Sequence, residues 1–384
     1  MFSLEFYKIC LYSIVYKTII LMKKIIILIY MTVCFAGDLV KSLQITPGIN
    51  SQIEEAIKRV PKNQYDGMKW LIENMPREDL NKISSEFLLS TCQLAYDTRG
   101  NTPWGKKIPD ELFFTYVLPY ANLNEQIEDW REDFNNRFYP MVKDAKSAYE
   151  AVVVLNHKIF DELGVIYSTN RPKADQSPYE SIKAGMASCT GLSILLIAAC
   201  RSVGIPARFV GTPLWYNDSG NHSWVEIWDG EWYFTGAAEP TGQKLNESWF
   251  QESASKAQYG SKKYGIFAAT WDDTGIFFPM DWLPNVNKYN AIDVTYNYKI
   301  ELSNSDLIPV RVRAIDSYGT RKEVKVQVFG DDNYFKEGLS KGESCDANDH
   351  LTFMLPVGKI FTLKSKNIIK SVQVAEEVII DLEF

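Results

Sequence analysis

A cysteine at the start of an apolar helix is the residue of this sequence best suited to chemistry. Ser188 or Thr190 can cap the helix start, and apolar residues such as Leu192, Leu195 and Ala199 follow Cys189. Their spacing of three and four residues is that of one buried helix face. The unpaired N–H groups and the dipole at a helix start favour a thiolate over a thiol. The pattern therefore predicts a nucleophilic cysteine.

A nucleophilic cysteine needs a base, and the sequence offers three histidines. His222 lies in an alternating run typical of a strand, and an Asp-Gly turn predicts a hairpin to a second strand. We expect His157 on a helix surface and His350 in a loop. A helix-borne cysteine, a strand-borne histidine and then a carboxylate are the order of thiol acyl transfer, in which the acid orients the imidazole.

The stretch from Cys189 to Glu239 resembles the transglutaminase-like superfamily, which is related to papain-type cysteine proteases. The resemblance rests on the elements Ala-Ser-Cys-Thr-Gly, Gly-Ile-Pro-Ala-Arg, Asn-His-Ser-Trp-Val-Glu and Phe-Thr-Gly-Ala-Ala-Glu-Pro. It is closest to bacterial secreted transglutaminase-like proteins and covers about residues 75–270. It implies an α+β fold whose papain-like core packs a helix on an antiparallel sheet.

The third member of the predicted site departs from the superfamily pattern. The superfamily usually places an aspartate four residues after the tryptophan of the last core strand, and that position here is Gly236. The nearest acid is Glu239, whose longer side chain can orient His222 from a shifted turn. Two alternatives stay open: Asp229 of the hairpin turn serves instead, or the third member is missing. A dyad would still react, but more slowly.

The resemblance implies an exported thiol acyl-transfer enzyme that acts on peptide or carboxamide bonds. Cys189 would attack the carbonyl, His222 would move the proton and Glu239 would orient His222. Hydrolysis by a cysteine peptidase or amidase is favoured, because water needs no second binding site. The alternatives are a protein cross-linking transglutaminase and a peptide N-glycanase-like amidase. A third alternative, of another class, is a non-catalytic binding or scaffold protein that kept the fold, and Gly236 supports it.

The expected partner is a protein or peptide substrate, with no cofactor and no metal. The three histidines are scattered and lack metal-ligand spacing, and no Asp-rich calcium loop is present. The formal net charge is −7 and no basic stripe occurs, which argues against nucleic acid.

Three side chains near the predicted site are ambiguous, as is one segment before it. Gln176 and the backbone N–H of Cys189 are candidate oxyanion donors. Trp215 and Tyr216 either line a substrate groove or cover the sheet. The aromatic segment 113–125 forms either a wall of the cleft or a packing element.

The chain of 384 residues is long enough for two or three domains. We expect four parts: a signal peptide or N-terminal anchor at 1–36, a helical region at 37–150, the transglutaminase-like core at 151–290 and a β-sandwich accessory domain at 291–384. Helices are predicted at 53–60, 65–73, from about Asp79, and at 147–162. Predicted C-terminal strands are 294–302, 310–314, 324–329, 351–355 and 378–382. The last part shows no acid/base cluster and is interpreted as a positioning, glycan-binding or peptide-binding module.

The first residues have the pattern of a targeting sequence. Met22-Lys23-Lys24 precedes a short apolar run that ends at Ala36, which predicts a signal peptide cleaved near Ala36. The alternatives are a lipid on Cys34 and an uncleaved anchor. We therefore expect a secreted or periplasmic protein, attached to a membrane through its N-terminus or not at all.

Four cysteines remain after the predicted cleavage: Cys92, Cys189, Cys200 and Cys345. Cys189 and Cys200 share one helix and lie about 16 Å apart along it, too far for a disulfide. Cys200 is predicted to be a buried core residue. Whether Cys92 and Cys345 pair depends on how the terminal regions pack.

Overall fold

A computed structural model describes Met22 and residues 50–280, 282–299, 307–331 and 333–384. The predicted leader, Met22 excepted, lies outside the described residues. No helix in the described part of the chain is long and apolar enough to cross a membrane.

The described residues form a mixed α and β fold, as the sequence predicts. The helices are α1 Asn50–Arg59, α2 Tyr65–Asn74, α3 Ser85–Asn101, α4 Asp110–Tyr116, α5 Arg131–Val142, α6 Ala148–Leu163, α7 Pro178–Ala184, α8 Cys189–Ser202 and α9 Gln251–Ser255. Short 3₁₀ turns lie at Lys62–Gln64, Asp79–Asn81, Gly105–Lys107 and Thr295–Tyr298. The strands before residue 300 are β1 Ile166–Tyr167, β2 Met186–Ala187, β3 Ala207–Thr212, β4 His222–Trp228, β5 Trp232–Thr235, β6 Phe267–Ala269 and β7 Ala291–Asp293. Those after it are β8 Leu307–Ile315, β9 Lys325–Phe329, β10 Phe335–Leu339, β11 Leu351–Pro356, β12 Ile360–Ser365, β13 Ile368–Gln373 and β14 Val378–Glu383.

The described residues divide into two compact units, one ending at Cys92 and the other spanning Gln93–Phe384. In the first unit, α1 and α2 bury apolar residues spaced as the sequence predicts. The helix expected from Asp79 is instead a single 3₁₀ turn, and the next helix begins at Ser85. Ser84 explains the later start, because its Oγ accepts the backbone N–H of Phe87 at 3.2 Å and so caps α3.

The core of the second unit packs α8 on a five-stranded sheet of order β5-β4-β3-β6-β7. All four strand pairings are antiparallel, which confirms the predicted helix on an antiparallel sheet. The sequence predicts one buried face for α8, but every residue from Thr190 to Ser202 is buried. The sheet and the helices α5, α6 and α7 all contact α8, so the helix lies in the interior.

The segment from 307 to 384 forms two further sheets, of order β10-β9-β12-β13 and β11-β8-β14. Their buried residues join in one hydrophobic cluster that includes Val312, Val328, Phe361 and Leu382. Most pairings are antiparallel, but β14 runs parallel to β8, which the sequence pattern does not indicate.

The strand expected at 294–302 is wrong within its described part, residues 294–299. A strand at Ala291–Asp293 joins the core sheet instead, and a 3₁₀ turn at Thr295–Tyr298 follows it. The reason is a buried polar contact: the Tyr298 hydroxyl donates to Glu226 at 2.6 Å and accepts the indole N–H of Trp224 at 2.7 Å. These bonds tie the segment to the core.

The two C-terminal sheets are joined to the core by charged and polar contacts. Arg311 of β8 donates to Glu252 of α9 at 2.9 Å and also pairs with Glu377. Glu377 accepts the hydroxyl of Tyr216, which lies between β3 and β4. These contacts therefore tie the C-terminal sheets to the core through β8 and the residue before β14.

Candidate active site

Cys189 is the first residue of α8, where the sequence places it. Ser188 caps the helix, because its Oγ accepts the backbone N–H of Gly191 at 3.3 Å and donates to the carbonyl of Ala174 at 2.7 Å. The Cys189 side chain is partly exposed. The thiol therefore lies at the positive end of a buried helix with a route to solvent.

His222 begins β4 and is only 2% exposed. Its ring centroid lies 4.8 Å from those of both Trp249 and Phe250 and 5.9 Å from that of Trp224. The Ser223 Oγ lies 3.2 Å from the Thr190 Oγ1. This last contact fixes the start of β4 against the start of α8, so His222 and Cys189 are held close together.

Glu239 lies beside His222, as the sequence predicts, with Oε2 3.5 Å from Nε2. The same Oε2 accepts the indole N–H of Trp249 at 2.9 Å, which holds the carboxylate in place. Gly236 makes room for it: a Cβ at position 236 would collide with Oε2 and lie 3.0 Å from the Glu239 Cβ. The superfamily usually has an aspartate at position 236. The glycine found here leaves the space that the Glu239 side chain occupies.

Asn156 of α6 positions the turn that carries Glu239. Its amide donates to Thr235 Oγ1 at 3.0 Å and to the carbonyl of Gly236 at 2.8 Å, and its oxygen accepts the N–H of Ala238 at 2.9 Å. Ala238 has a φ of 62°, a left-handed conformation that is unfavourable for alanine. Asn156 is 4% exposed, so the clamp is buried and stabilises this strained turn.

A second carboxylate, Asp346, faces His222 from the loop between β10 and β11. Its Oδ2 lies 3.4 Å from the Nδ1 of His222. The Cys189 Sγ, a His222 ring nitrogen and an Asp346 oxygen all lie within 4.8 Å of one another. The sequence reasoning found no acid/base cluster in the C-terminal part and so did not single out Asp346. The sequence gives only a weak indication of this carboxylate, namely two aspartates and an asparagine in an otherwise ordinary loop.

Asp346 is held rigidly by its own loop and by the core. Its Oδ1 accepts the N–H of Asn348 at 2.9 Å, which leaves Oδ2 directed at His222. The Asn348 amide donates to the carbonyl of Asn221 at 2.8 Å. Arg321 donates to the carbonyls of residues 345, 346 and 349. Gly220 has a φ of +135°, and a Cβ there would collide with Asn348, so the approach depends on glycine.

The two carboxylates control the charge of His222. Burial alone would lower the pKa of His222, but the charges of Glu239 and Asp346 outweigh it and raise that pKa well above the ordinary value. Burial likewise favours the neutral form of Asp346, yet His222 holds the pKa of Asp346 below its usual range. The two carboxylates therefore favour the protonated form of His222, which lies inside a ring of aromatic side chains.

The other sequence candidates lie elsewhere or act structurally. Asp229 accepts the N–H of Tyr149 at 3.1 Å and so supports the start of α6. His157 is exposed and contacts the carbonyl of Gly242. The Gln176 amide donates to the carbonyl of Met186 at 3.0 Å, which places its N–H groups on the backbone before Cys189. His350 lies in a loop, where burial lowers its pKa to about 4.

The aromatic segment 113–125 and Trp215, whose roles the sequence left open, make packing contacts in the structure. Arg201 donates to the carbonyls of Tyr116, Pro119 and Ala121, so the aromatic segment is tied to the end of α8. Trp215 is 2% exposed and stacks on Trp224. Cys92, Cys189, Cys200 and Cys345 are all free thiols.

A cavity of about 940 Å³ opens beside the site. Both carboxylates, Glu239 and Asp346, line it together with Tyr167, Leu192, Trp249 and Cys345. The cavity therefore meets the candidate site at its two carboxylates.

Residues 136–237 match the family model described as the Transglutaminase-like superfamily. The matched range contains Cys189 and His222 and confirms the resemblance inferred from the sequence. No curated protein is similar enough to match the chain.

Two solved structures are similar to parts of the chain. A candidate cysteine protease from Cytophaga hutchinsonii is 20% identical, with 35% of this chain and 45% of that chain covered and a TM-score of 0.28. The red sea bream transglutaminase is 9% identical, with 71% and 66% covered and a TM-score of 0.31. The match thus spans under half of the first protein and just under two thirds of the second.

Proposed function

We propose that this protein is a cysteine-dependent acyl-transfer enzyme that hydrolyses peptide or carboxamide bonds. The observation that carries the proposal is the meeting of Cys189, His222 and a carboxylate at the start of a buried helix, within 4.8 Å. A buried imidazolium next to a thiol at a helix start is the arrangement that generates a reactive thiolate.

The reaction follows from the charges of the resting site. The Cys189 thiolate attacks the substrate carbonyl, and the proton on His222 passes to the leaving amine as the C–N bond breaks. The acyl-thioester then reacts with a water whose proton His222 accepts, and the departure of the sulfur as a thiolate releases the acid and restores the thiolate–imidazolium pair. The backbone N–H of Cys189, at the free end of α8, is the natural donor to the oxyanion.

Glu239 and Asp346 have different roles in this proposal. Glu239 approaches Nε2 and orients the ring, as the acid of a triad does. Asp346 approaches Nδ1 and also lies close to the Cys189 sulfur, so its negative charge competes with the thiolate for the imidazolium. We infer that Asp346 lowers the reactivity of the Cys189 thiol when no substrate is bound.

Hydrolysis is preferred to cross-linking because water requires no second binding site. The cavity beside Glu239 and Asp346 gives a lysine side chain a second route, so transglutamination is the runner-up. Incubation with a protein substrate and a fluorescent primary amine separates the two: peptide release without amine incorporation supports hydrolysis, and incorporation supports cross-linking.

The first test is the rate of iodoacetamide alkylation of Cys189 against pH, resolved by peptide mass because Cys345 is also partly exposed. The wild type is compared with His222→Ala and Glu239→Ala in the presence of a chelator. Rapid labelling below the ordinary thiol range, lost in His222→Ala, supports the enzyme. Slow labelling that is indifferent to His222 contradicts it and favours a non-catalytic binding protein.

A further inference from the structure

We propose that Cys189, His222 and Asp346 form a Zn²⁺ site, and that zinc is a reversible inhibitor of the enzyme. The three residues offer a thiolate sulfur, an imidazole nitrogen and a carboxylate oxygen, which are the usual ligands of zinc in proteins. The sequence predicts no metal because its histidines are scattered, but this site needs only one of them.

The observed distances suit a tetrahedral ion. Zinc bonds of roughly 2.0–2.1 Å to nitrogen and oxygen place those two atoms about 3.4 Å apart at the tetrahedral angle. The separation of His222 Nδ1 from Asp346 Oδ2 is 3.4 Å. A zinc-bound sulfur lies about 3.6 Å from the other ligands, and all three atoms already lie within 4.8 Å. A shift of the Cys189 side chain by about 1 Å closes the set.

The ring nitrogens of His222 also indicate that a ligand binds here. His222 is 2% exposed, yet among the described residues neither ring nitrogen has a hydrogen bond of acceptable geometry. A metal on Nδ1 would satisfy one nitrogen. The other faces Glu239, as a metal-bound histidine usually presents its second N–H to a carboxylate.

The neighbouring residues support the site further. Trp249 donates to Glu239, so the carboxylate that faces Nε2 is itself fixed. Asn348 and Arg321 fix the loop of Asp346. The cavity beside the site is lined by Asp346, one of the three proposed ligands, and by Glu239.

Zinc binding would block the thiol chemistry, and this part of the inference rests on the proposed function. Forming the sulfur–zinc and nitrogen–zinc bonds requires a thiolate and a neutral imidazole, so the proton held by the pair passes to solvent. Neither the nucleophile nor the general acid would then be available. The affinity should fall as the pH is lowered.

The test uses the full chain and Co²⁺ as a spectroscopic stand-in for Zn²⁺. Cobalt bound by a cysteine thiolate gives a near-ultraviolet charge-transfer band that oxygen and nitrogen ligands alone do not give. We expect one equivalent of Co²⁺ to produce the band, one equivalent of Zn²⁺ to abolish it, and Cys189→Ala to lack it. Zn²⁺ affinity is measured by competition with a chromophoric chelator.

Asp346→Asn is compared with Glu337→Gln, an exposed residue of β10 that pairs with Lys325. We expect Asp346→Asn to lose at least about tenfold in Zn²⁺ affinity, since even outer-shell partners contribute that much, and Glu337→Gln to match the wild type. Absence of the thiolate band, or equal affinity in all three proteins, overturns the zinc site. The alkylation rates measured in the presence of a chelator test the catalytic proposal separately. The zinc site and the catalytic proposal can therefore fail independently of each other.

Discussion

The Nδ1 of His222, at the start of a core strand, lies 3.4 Å from the Oδ2 of Asp346, which belongs to a loop of the C-terminal sheets. Glu239, from the turn after β5, faces the opposite nitrogen at 3.5 Å. The imidazole is thus held between a carboxylate of its own sheet and one supplied by another part of the chain.

Glu239→Gln should slow alkylation of Cys189 at neutral pH by about tenfold or more, because the imidazolium loses the charge that orients it. The measurement is the second-order rate with iodoacetamide. Glu247→Gln, an exposed residue of the same region paired with Lys244, is the control. An unchanged rate in Glu239→Gln would remove Glu239 from the site.

Asp346→Asn should change the same rate in the opposite direction. Removing the charge next to the Cys189 sulfur leaves the thiolate unopposed at the Nδ1 side of the imidazolium, and we expect labelling to rise about threefold to tenfold, on the order of 1 kcal/mol. Glu337→Gln, on the exposed strand β10, should leave the rate unchanged. A fall in Asp346→Asn equal to that in Glu239→Gln would make Asp346 an orienting acid instead.

Gly236 and Glu239 should behave as a coupled pair. Gly236→Asp alone should destabilise the turn and slow alkylation, because its side chain collides with the Glu239 carboxylate. Gly236→Asp combined with Glu239→Ala frees the space and restores an acid at the position usual in the superfamily. The double variant should therefore react faster than either single variant, and additive losses would contradict the coupling.

Asn156→Ala should lower the free energy of unfolding by about 2–4 kcal/mol, since buried partners in three residues lose their hydrogen bonds. It should also slow alkylation, because the turn that carries Glu239 is released. Lys158→Ala, an exposed position of the same helix, is the control for both. Denaturant unfolding and labelling rates give the two readouts.

The charged His222 should make stability depend on pH with a defined sign. Its pKa is raised in the folded state, so its contribution is complete below about pH 6.5 and is lost as the pH rises through the raised value. The lowered pKa of Asp346 gives a contribution that is present above about pH 4 and lost in acid. The excess thermal stability of the wild type over His222→Gln should therefore shrink in alkali. An excess that grows there would contradict the imidazolium.

The sequence predicts the local features of the site well. The helix start at Cys189 follows from apolar spacing and a capping serine, and the strand of His222 from alternation and an Asp-Gly turn. Glu239 could be inferred because the superfamily pattern fixes roughly where an acid must lie. These features depend on residues close together along the chain.

Asp346 could not be predicted, because its role depends on how two distant parts of the chain pack. Loop residues follow no periodic pattern, and the hydrogen bonds of Asn348 and Arg321 that aim the carboxylate form only in the folded state. The parallel pairing of β14 with β8 is likewise a property of topology. For the same reason the 3₁₀ turn at Thr295–Tyr298 was expected as a strand, since its buried bonds with Trp224 and Glu226 do not show in a local pattern.

The loop that carries Asp346 has a consequence for any exchange of modules between proteins of this kind. A core grafted onto foreign C-terminal sheets would keep Cys189, His222 and Glu239 but lose the contact of Asn348 with Asn221 and the carboxylate that accompanies it. Such a chimaera would keep the nucleophilic Cys189 without the neighbouring negative charge of Asp346. The two parts of this unit are therefore coupled through these contacts, and a change in either must be compatible with the other.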